Sequence, residues 1–209
     1  MDMFKKYNVI LWDFDGVIMD SMPIRDLGFK EVLKEYPQEQ VDELIAFHQH
    51  NGGLSRYVKF RYFFENIRGE SITDDEVLRL AGKFSEVMLS LLINNDLLIQ
   101  DSVQFIQDNY QTYNMHVVSG SDGRELNYIC AQLGLDKFFR SIHGSPTPKK
   151  DLVRQVLLDN NYNNAEVVLI GDSVNDHEAA QHNAIDFTGY NNVHLHELGS
   201  YVTSFNSLV

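Results

Sequence analysis

Asp13 and Asp15 close the stretch Tyr7-Asn8-Val9-Ile10-Leu11-Trp12-Asp13-Phe14-Asp15-Gly16-Val17-Ile18, and nothing in core packing asks for two acids there. Two carboxylates one residue apart are suited to paired roles, one attacking as a nucleophile and the other moving protons. They also suit a hard cation, which takes oxygen ligands. Three further groups of chemistry-bearing residues follow: Ser119-Gly120, then Lys149 or Lys150, then Gly171-Asp172-Ser173-Val174-Asn175-Asp176. Each alone has an ordinary explanation as an acidic turn, a helix cap, a solvated lysine pair or a tight turn. An EF-hand loop is excluded at Asp13, because Val17 and Ile18 stand where that loop needs an oxygen ligand and a glycine.

The elements around these residues place all four groups at strand ends or helix starts. Val9 to Trp12 is bulky and largely β-favouring, which predicts a strand buried on both faces. Met115 to Val118 predicts a second strand, ending in Ser119-Gly120-Ser121. Val167 to Ile170 predicts another, ending on Gly171-Asp172; short strands are expected near Ser141 to Gly144 and Ile185 to Thr188. Helices are expected over Asp101–Tyr113, Arg124–Leu133 and Lys150–Asn160, and after Gly171-Asp172 through His182. Such alternation indicates an α/β fold with a parallel sheet covered on both faces, whose chemistry sits at the carboxyl ends of the strands. Between Ser21 and about Asn95 the pattern is nearly all helical. Ser21 and Pro23 read as a helix start, Pro37 as a stop and Asn51-Gly52-Gly53 as a break. Phe60, Phe63, Phe64 and Ile67 form an apolar stripe, and Thr73-Asp74-Asp75-Glu76 fits a capping box before a long helix toward Leu92. The expected organisation is a core of residues 1–18 and 97–209 interrupted by a helical cap of residues 19–96.

Bulk composition narrows the function classes. The chain has 209 residues, 44% hydrophobic and 22% charged, as expected of a globular protein. A formal net charge of -13 argues against a general nucleic-acid or membrane-surface binder, since phosphate backbones demand a basic surface. It leaves room for a small phosphorylated substrate, because a metal ion and a few local cations set the field inside a pocket. The one cysteine, Cys130, permits neither an internal disulfide nor a cysteine metal cluster and reads as a small buried helix residue. The apolar run after Lys5-Lys6 is too short for a signal peptide, and no stretch is long enough to span a bilayer, so a cytoplasmic protein is expected, with no obligate protein partner. The eight histidines form no cluster with ligand spacing.

The motifs DFDGV, VVSGS, PKK and GDSVND, in this order, resemble the haloacid dehalogenase (HAD) superfamily over essentially the whole chain. The resemblance implies a Rossmann-like core with the first strand in the middle of the sheet and a mobile helical cap after the first motif. Its Mg²⁺ ligands would be the Asp13 carboxylate, the Asp15 backbone carbonyl and Asp172. The residue types make chemical sense without the name. An aspartate nucleophile splits phosphomonoester hydrolysis into two easier steps, a role for Asp13, and Asp15 would protonate the leaving oxygen and then deprotonate water. Ser119 and the Gly120 amide would hold phosphoryl oxygens, and Lys149 would add a positive charge. Asp176 would orient that lysine or a metal-bound water, with Asn175 in support. Lys149 is favoured over Lys150 by the spacing to Leu152, Val153 and Val156, which should face the core.

Asp15 separates the candidate reactions, since dehalogenating relatives lack an acid at that position and need none. Phosphoryl transfer is therefore expected, and the two options are a phosphatase and a phosphomutase. Gly53-Leu54-Ser55-Arg56 resembles the cap loop of β-phosphoglucomutases, whose arginine meets the non-reacting phosphate. Arg56 and Lys59 have no close acid partner along their own helix and are candidate substrate residues, although exposed helix arginines are common. Against a mutase, Arg25 stands where that enzyme carries a histidine, and GDSVND replaces a motif that usually begins Glu-Asp-Ser. The expectation is a Mg²⁺-dependent phosphatase of a small phosphorylated metabolite, one that could bear a second anionic group. A non-catalytic phospho-acceptor module of the receiver type is disfavoured, because its acceptor lies on a later strand and no helical insertion follows its first.

Overall fold

The computed structural model describes residues 3–208. Six parallel strands form one sheet: β1 (Val9–Trp12), β2 (Asn114–Asp122), β3 (Ser141–Ser145), β4 (Val167–Gly171), β5 (Asp186–Tyr190) and β6 (Ser200–Val202). Their spatial order is β3-β2-β1-β4-β5-β6. Strand β1 is central, with Trp12 level with Val117 of β2 on one side and Ile170 of β4 on the other. The strand order reverses at β1, so its carboxyl end faces the crevice where open α/β sheets bind ligands.

The alternation along β1 explains its burial. Ile10 and Trp12 join one apolar cluster with Met115, Val117, Val168 and Ile170, whereas Val9 and Leu11 join another with Val153, Val156 and Ala180 on the opposite face. Helices α5 (Gln100–Asn109) and α6 (Gly123–Gln132) lie on the first face, and α7 (Lys149–Asp159) and α8 (Val174–His182) on the second.

Four helices precede these in the chain: α1 (Met22–Val32), α2 (Gln38–His50), α3 (Arg56–Tyr62) and α4 (Asp74–Leu91). A π turn, Phe63–Ile67, extends α3. Phe29, Phe60 and Phe84 knit the block together, with ring centroids 4.5 to 6.2 Å apart. The chain enters and leaves this block through adjacent crossings: Asp20 N donates to Leu97 O at 2.8 Å and Ile99 N to Ile18 O at 2.9 Å.

Several boundaries differ from expectation. Strand β2 runs on through Ser119 to Asp122, with a register irregularity between Val118 and Asp122 that keeps it paired to β3. Strand β6 was not expected; it is three residues long and carries too little pattern to register. Thr73 accepts from Glu76 N at 3.2 Å, while the Glu76 carboxylate pairs with Arg79, so only half of the expected capping box forms there. Ser21 starts α1 without capping it, because its hydroxyl is directed at Asp15. Among the described residues, no helix is long and apolar enough to cross a membrane.

Candidate active site

Asp13 lies one residue beyond β1, its amide still donating to Ile170 O at 2.9 Å. Its carboxylate is 3% exposed and accepts from Phe14 N and from Lys149 Nζ, both at 2.8 Å. Lys149 opens α7 and is buried, reaching both Asp13 and Asp176; Lys150 points outward and is exposed. Asp176 accepts from Ser173 N at 3.0 Å and Ser173 Oγ at 2.7 Å, forming the capping box of α8 while its other oxygen takes the lysine. Oxygens of Asp13, Asp172 and Asp176 fall within 4.8 Å of one another.

This arrangement is short of positive charge. Burial, then the neighbouring Asp176, pushes the Asp13 carboxyl up to about 7; burial and Asp13 raise Asp172 well above the usual carboxylate range. The Lys149 ammonium is the cation in contact with Asp13, and although burial works against its charge, Asp13 and Asp176 hold its pKa above the ordinary lysine value. An all-oxygen donor set with surplus negative charge fits a hard divalent cation. Glycine at position 16 makes this convergence possible. Its φ is +76°, and a Cβ there would lie 1.9 Å from Asp172 Oδ2.

Asp15 faces elsewhere. Its carboxylate accepts from Ser21 Oγ, Arg25 Nε at 2.7 Å and Ser121 Oγ at 2.5 Å. Burial alone would raise its pKa, but Arg25 and the hydroxyls of Ser121 and Ser21 hold it below the usual carboxylate range. The two acids of the opening motif thus occupy different environments, one in the carboxylate cluster and one turned toward the helical block. Ser119, within β2, is buried and its Oγ accepts from Ser121 N at 3.1 Å.

The helical block closes directly on these residues. A Cβ on Gly120 would stand 2.3 Å from Gly53 O, and one on Gly53 would stand 2.8 Å from Asn175 Cβ. Asn175 Oδ1 is buried beneath this loop without a hydrogen-bond partner. A cleft of about 430 Å³ beside the contact is lined by Ser145, Lys149, Asn175 and Glu178 among others. Behind it, a small chamber of about 20 Å³ is bordered by Asp15, Arg25, His48, Arg56, Lys59 and Ser121. Lys59 and Arg56 are both buried there. Lys59 Nζ donates to His48 Nδ1 at 2.8 Å and to Gly52 O at 3.1 Å, and burial followed by the charge of Arg25 brings its pKa down to about 7. Arg56 lacks an acid on its own helix, but both its Nη atoms donate to Glu125 of α6 at 2.7 Å.

The structure therefore gathers Asp13, Lys149, Asp172 and Asp176 in one cluster, sets Asp15 beside it, and brings Arg56 and Lys59 to the adjoining chamber. Sequence reasoning did not single out Ser21, Ser121 or Glu125, and noted Arg25 only as a departure from a mutase. Ser121 belongs to the VVSGS motif and was legible as a second hydroxyl. Glu125 sits three residues after the helix-capping Asp122, the position where a capping-box acid would serve its own backbone.

Solved structures share this architecture. CbbY from Rhodobacter sphaeroides, crystallised with phosphate, matches with a TM-score of 0.78 at 16% identity, over 97% of this chain and 96% of its own. β-Phosphoglucomutase from Clostridium difficile matches with a TM-score of 0.76 at 16% identity, over 97% and 93%. A predicted phosphoglycolate phosphatase from Haemophilus somnus matches with 0.68 at 17%, over 98% and 92%. At these identities the likeness shows the fold. No curated protein matches in sequence. The family model described as haloacid dehalogenase-like hydrolase matches residues 10–190, which takes in every motif from Asp13 to Asp176. The chain belongs to the haloacid dehalogenase-like hydrolases.

Proposed function

We propose that the protein is a Mg²⁺-dependent phosphatase that hydrolyses a small phosphomonoester through an aspartyl-phosphate on Asp13. One observation carries the reading: the two acids of the opening motif are separated by environment, Asp13 lying against Lys149 and Asp15 facing the chamber under the helical block. A dehalogenase has no use for the second acid.

In this reading Asp13 attacks phosphorus and Asp15, which takes up a proton from solvent once the open cap releases it from Ser21 and Arg25, delivers that proton to the departing oxygen. Asp15 then takes a proton from the water that attacks the phosphorylated aspartate. Ser119 and the Gly120 amide hold phosphoryl oxygens, and Lys149 neutralises charge as it builds on them. Asp13, the Asp15 carbonyl and Asp172 would hold Mg²⁺, which when bound supplies charge neutralisation at the phosphoryl group. Asp176 fixes Lys149, and Asn175 supports the Gly53 loop. Residues 19–96 act as a cap that opens to admit substrate, because the Gly53 loop lies directly against Gly120 beside the site. Closure then excludes water from the first step. Arg25, Lys59 and Arg56 face the leaving group. A freely diffusing cytoplasmic metabolite suits such a site.

The alternative is a phosphomutase, which must hold a second phosphoryl group and return it to Asp13. CbbY has been crystallised with xylulose 1,5-bisphosphate, so bisphosphates belong in the substrate panel. The test is a screen of phosphorylated metabolites with Mg²⁺ and with excess chelator, scoring free phosphate and isomerised product for the wild type, Asp13→Asn and Arg56→Ala. Phosphate release that needs Mg²⁺ and stops with Asp13→Asn supports the proposal. An isomerised sugar phosphate in place of phosphate overturns it, as would a stable, stoichiometric self-phosphorylation without turnover.

A further inference from the structure

The chamber behind the Gly53–Gly120 contact has an unusual charge balance. Arg25 of α1, His48 of α2, Arg56 and Lys59 of α3 and Asp15 after β1 line it, and Glu125 of α6 lies behind the two arginines, paired with both. Glu125 is 3% exposed and is the carboxylate that the core helix contributes. It takes both Nη atoms of Arg56 at 2.7 Å and Nη1 of Arg25 at 3.4 Å. Ser85 accepts a further Arg56 hydrogen at 2.7 Å, and the Phe84 ring lies 4.5 Å from the guanidinium carbon. The charge of Arg56 is therefore already paired.

The remaining donors are few. Arg25 Nε is spent on Asp15 and Nη1 on Glu125, whereas Arg25 Nη2 is buried with no acceptor. Lys59 Nζ gives two hydrogens to His48 and Gly52, leaving one. The formal charges of Arg25, Arg56 and Lys59 set against those of Asp15 and Glu125 leave one positive charge, which matches one carboxylate or a neutral alcohol. A phosphoryl group brings a charge of about −1.5 to −2, more than that single charge offsets, and the Glu125 carboxylate held on Arg56 and Arg25 would repel it. Glu125 cannot leave cheaply, since its departure strands two buried guanidiniums.

We propose that Glu125 is the specificity-determining residue of the chamber. By neutralising Arg56 it admits phosphomonoesters whose alcohol is neutral or carries a single carboxylate, and it rejects those bearing a second phosphoryl group. This rests on the phosphatase reading above and sharpens its substrate class.

The test is a matched three-carbon series: propanediol monophosphate, the phosphate ester of hydroxypropanoate, and propanediol bisphosphate. kcat/KM is measured for each with wild type, Glu125→Gln and Arg56→Gln/Glu125→Gln. The expected result is that wild type disfavours the bisphosphate. Glu125→Gln should shift the bisphosphate-to-monophosphate ratio by about tenfold or more toward the bisphosphate, as removing a facing like charge should do. The double variant, which loses the freed cation as well, should return the ratio toward wild type, a reversal that a merely structural role would not produce. If Glu125→Gln is insoluble, the similarly sized and uncharged Glu125→Met is read in its place. An unchanged ratio in the single variant, or a wild type that prefers the bisphosphate, overturns the inference. Phosphate release from no member of this series or of the wider metabolite panel would instead overturn the phosphatase reading itself.

Discussion

Gly120→Ala separates the proposed closure of the helical block from folding. The added Cβ would sit 2.3 Å from Gly53 O, 2.9 Å from Gly53 C and 3.3 Å from Leu54 C. The first contact is roughly 1 Å inside ordinary van der Waals distance, and the atoms met are backbone, which cannot rotate away. They belong to the loop before α3, so the strain is relieved by withdrawing that loop about 1 Å from β2, not by disturbing the sheet. Misplacement of about 1 Å in a catalytic constellation costs on the order of 10²-fold in rate. The expected outcome is a kcat/KM about 100-fold below wild type with a melting temperature within about 4 °C, the shift that roughly 1 kcal/mol produces in a domain of this size. Phosphate release and a thermal melt on the same preparation check it. A variant retaining wild-type kcat/KM would refute the claim that this backbone contact closes the site; an unfolded variant would refute the claim that the strain is confined to the loop.

Other outcomes follow from the same geometry. Lys149→Met should reduce kcat about 10²- to 10³-fold, the range for loss of one transition-state charge partner, while Lys150→Met stays within about twofold. Damage ranked the other way would misassign the motif lysine. Mg²⁺ at about 100 times its dissociation constant should stabilise the fold by ~2.7 kcal/mol, and chelator should remove that gain in wild type; with Asp172→Asn the gain should be largely absent. Acid should destabilise the protein through two buried histidines. Burial lowers His48 to about 2 and His116 to about 4, so both are neutral when folded and take up a proton on unfolding. Their contribution is complete above the unfolded value near 6.5 and declines as pH falls, down to about 4 for His116, with a slope of up to ~1.4 kcal/mol per pH unit for each. Urea melts of wild type and His116→Gln should diverge below pH 6, the variant having the flatter profile.

Acids at the end of a buried strand are costly unless chemistry requires them, which makes Asp13 and Asp15 legible from one segment, whereas Lys149 is legible only through the order of the motifs and its spacing to Leu152, Val153 and Val156. Asp176 was legible as a partner for the lysine, although its second role in capping α8 with Ser173 was not. Glu125 was hidden because it breaks no local rule: an acid three residues into a helix looks like a cap, and its partners lie 69 and 100 residues away. Ser21 reads only as a helix start for the same reason, since the pull of Asp15 on its hydroxyl cannot be seen from one segment. Strand ends were blurred where long-range pairing decides them, as in β2 running through Ser119 and in the short β6.

Covalent trapping tests the central claim most directly. Wild-type enzyme with Mg²⁺ and a turned-over phosphomonoester is quenched in acid within milliseconds, reduced with borohydride to capture any acyl phosphate, digested, and sequenced by mass spectrometry. The account predicts a reduced side chain at position 13, absent without substrate, and none at Asp15, Asp172 or Asp176. Steady phosphate release with no modification at Asp13, or with the label on another acid, would contradict it.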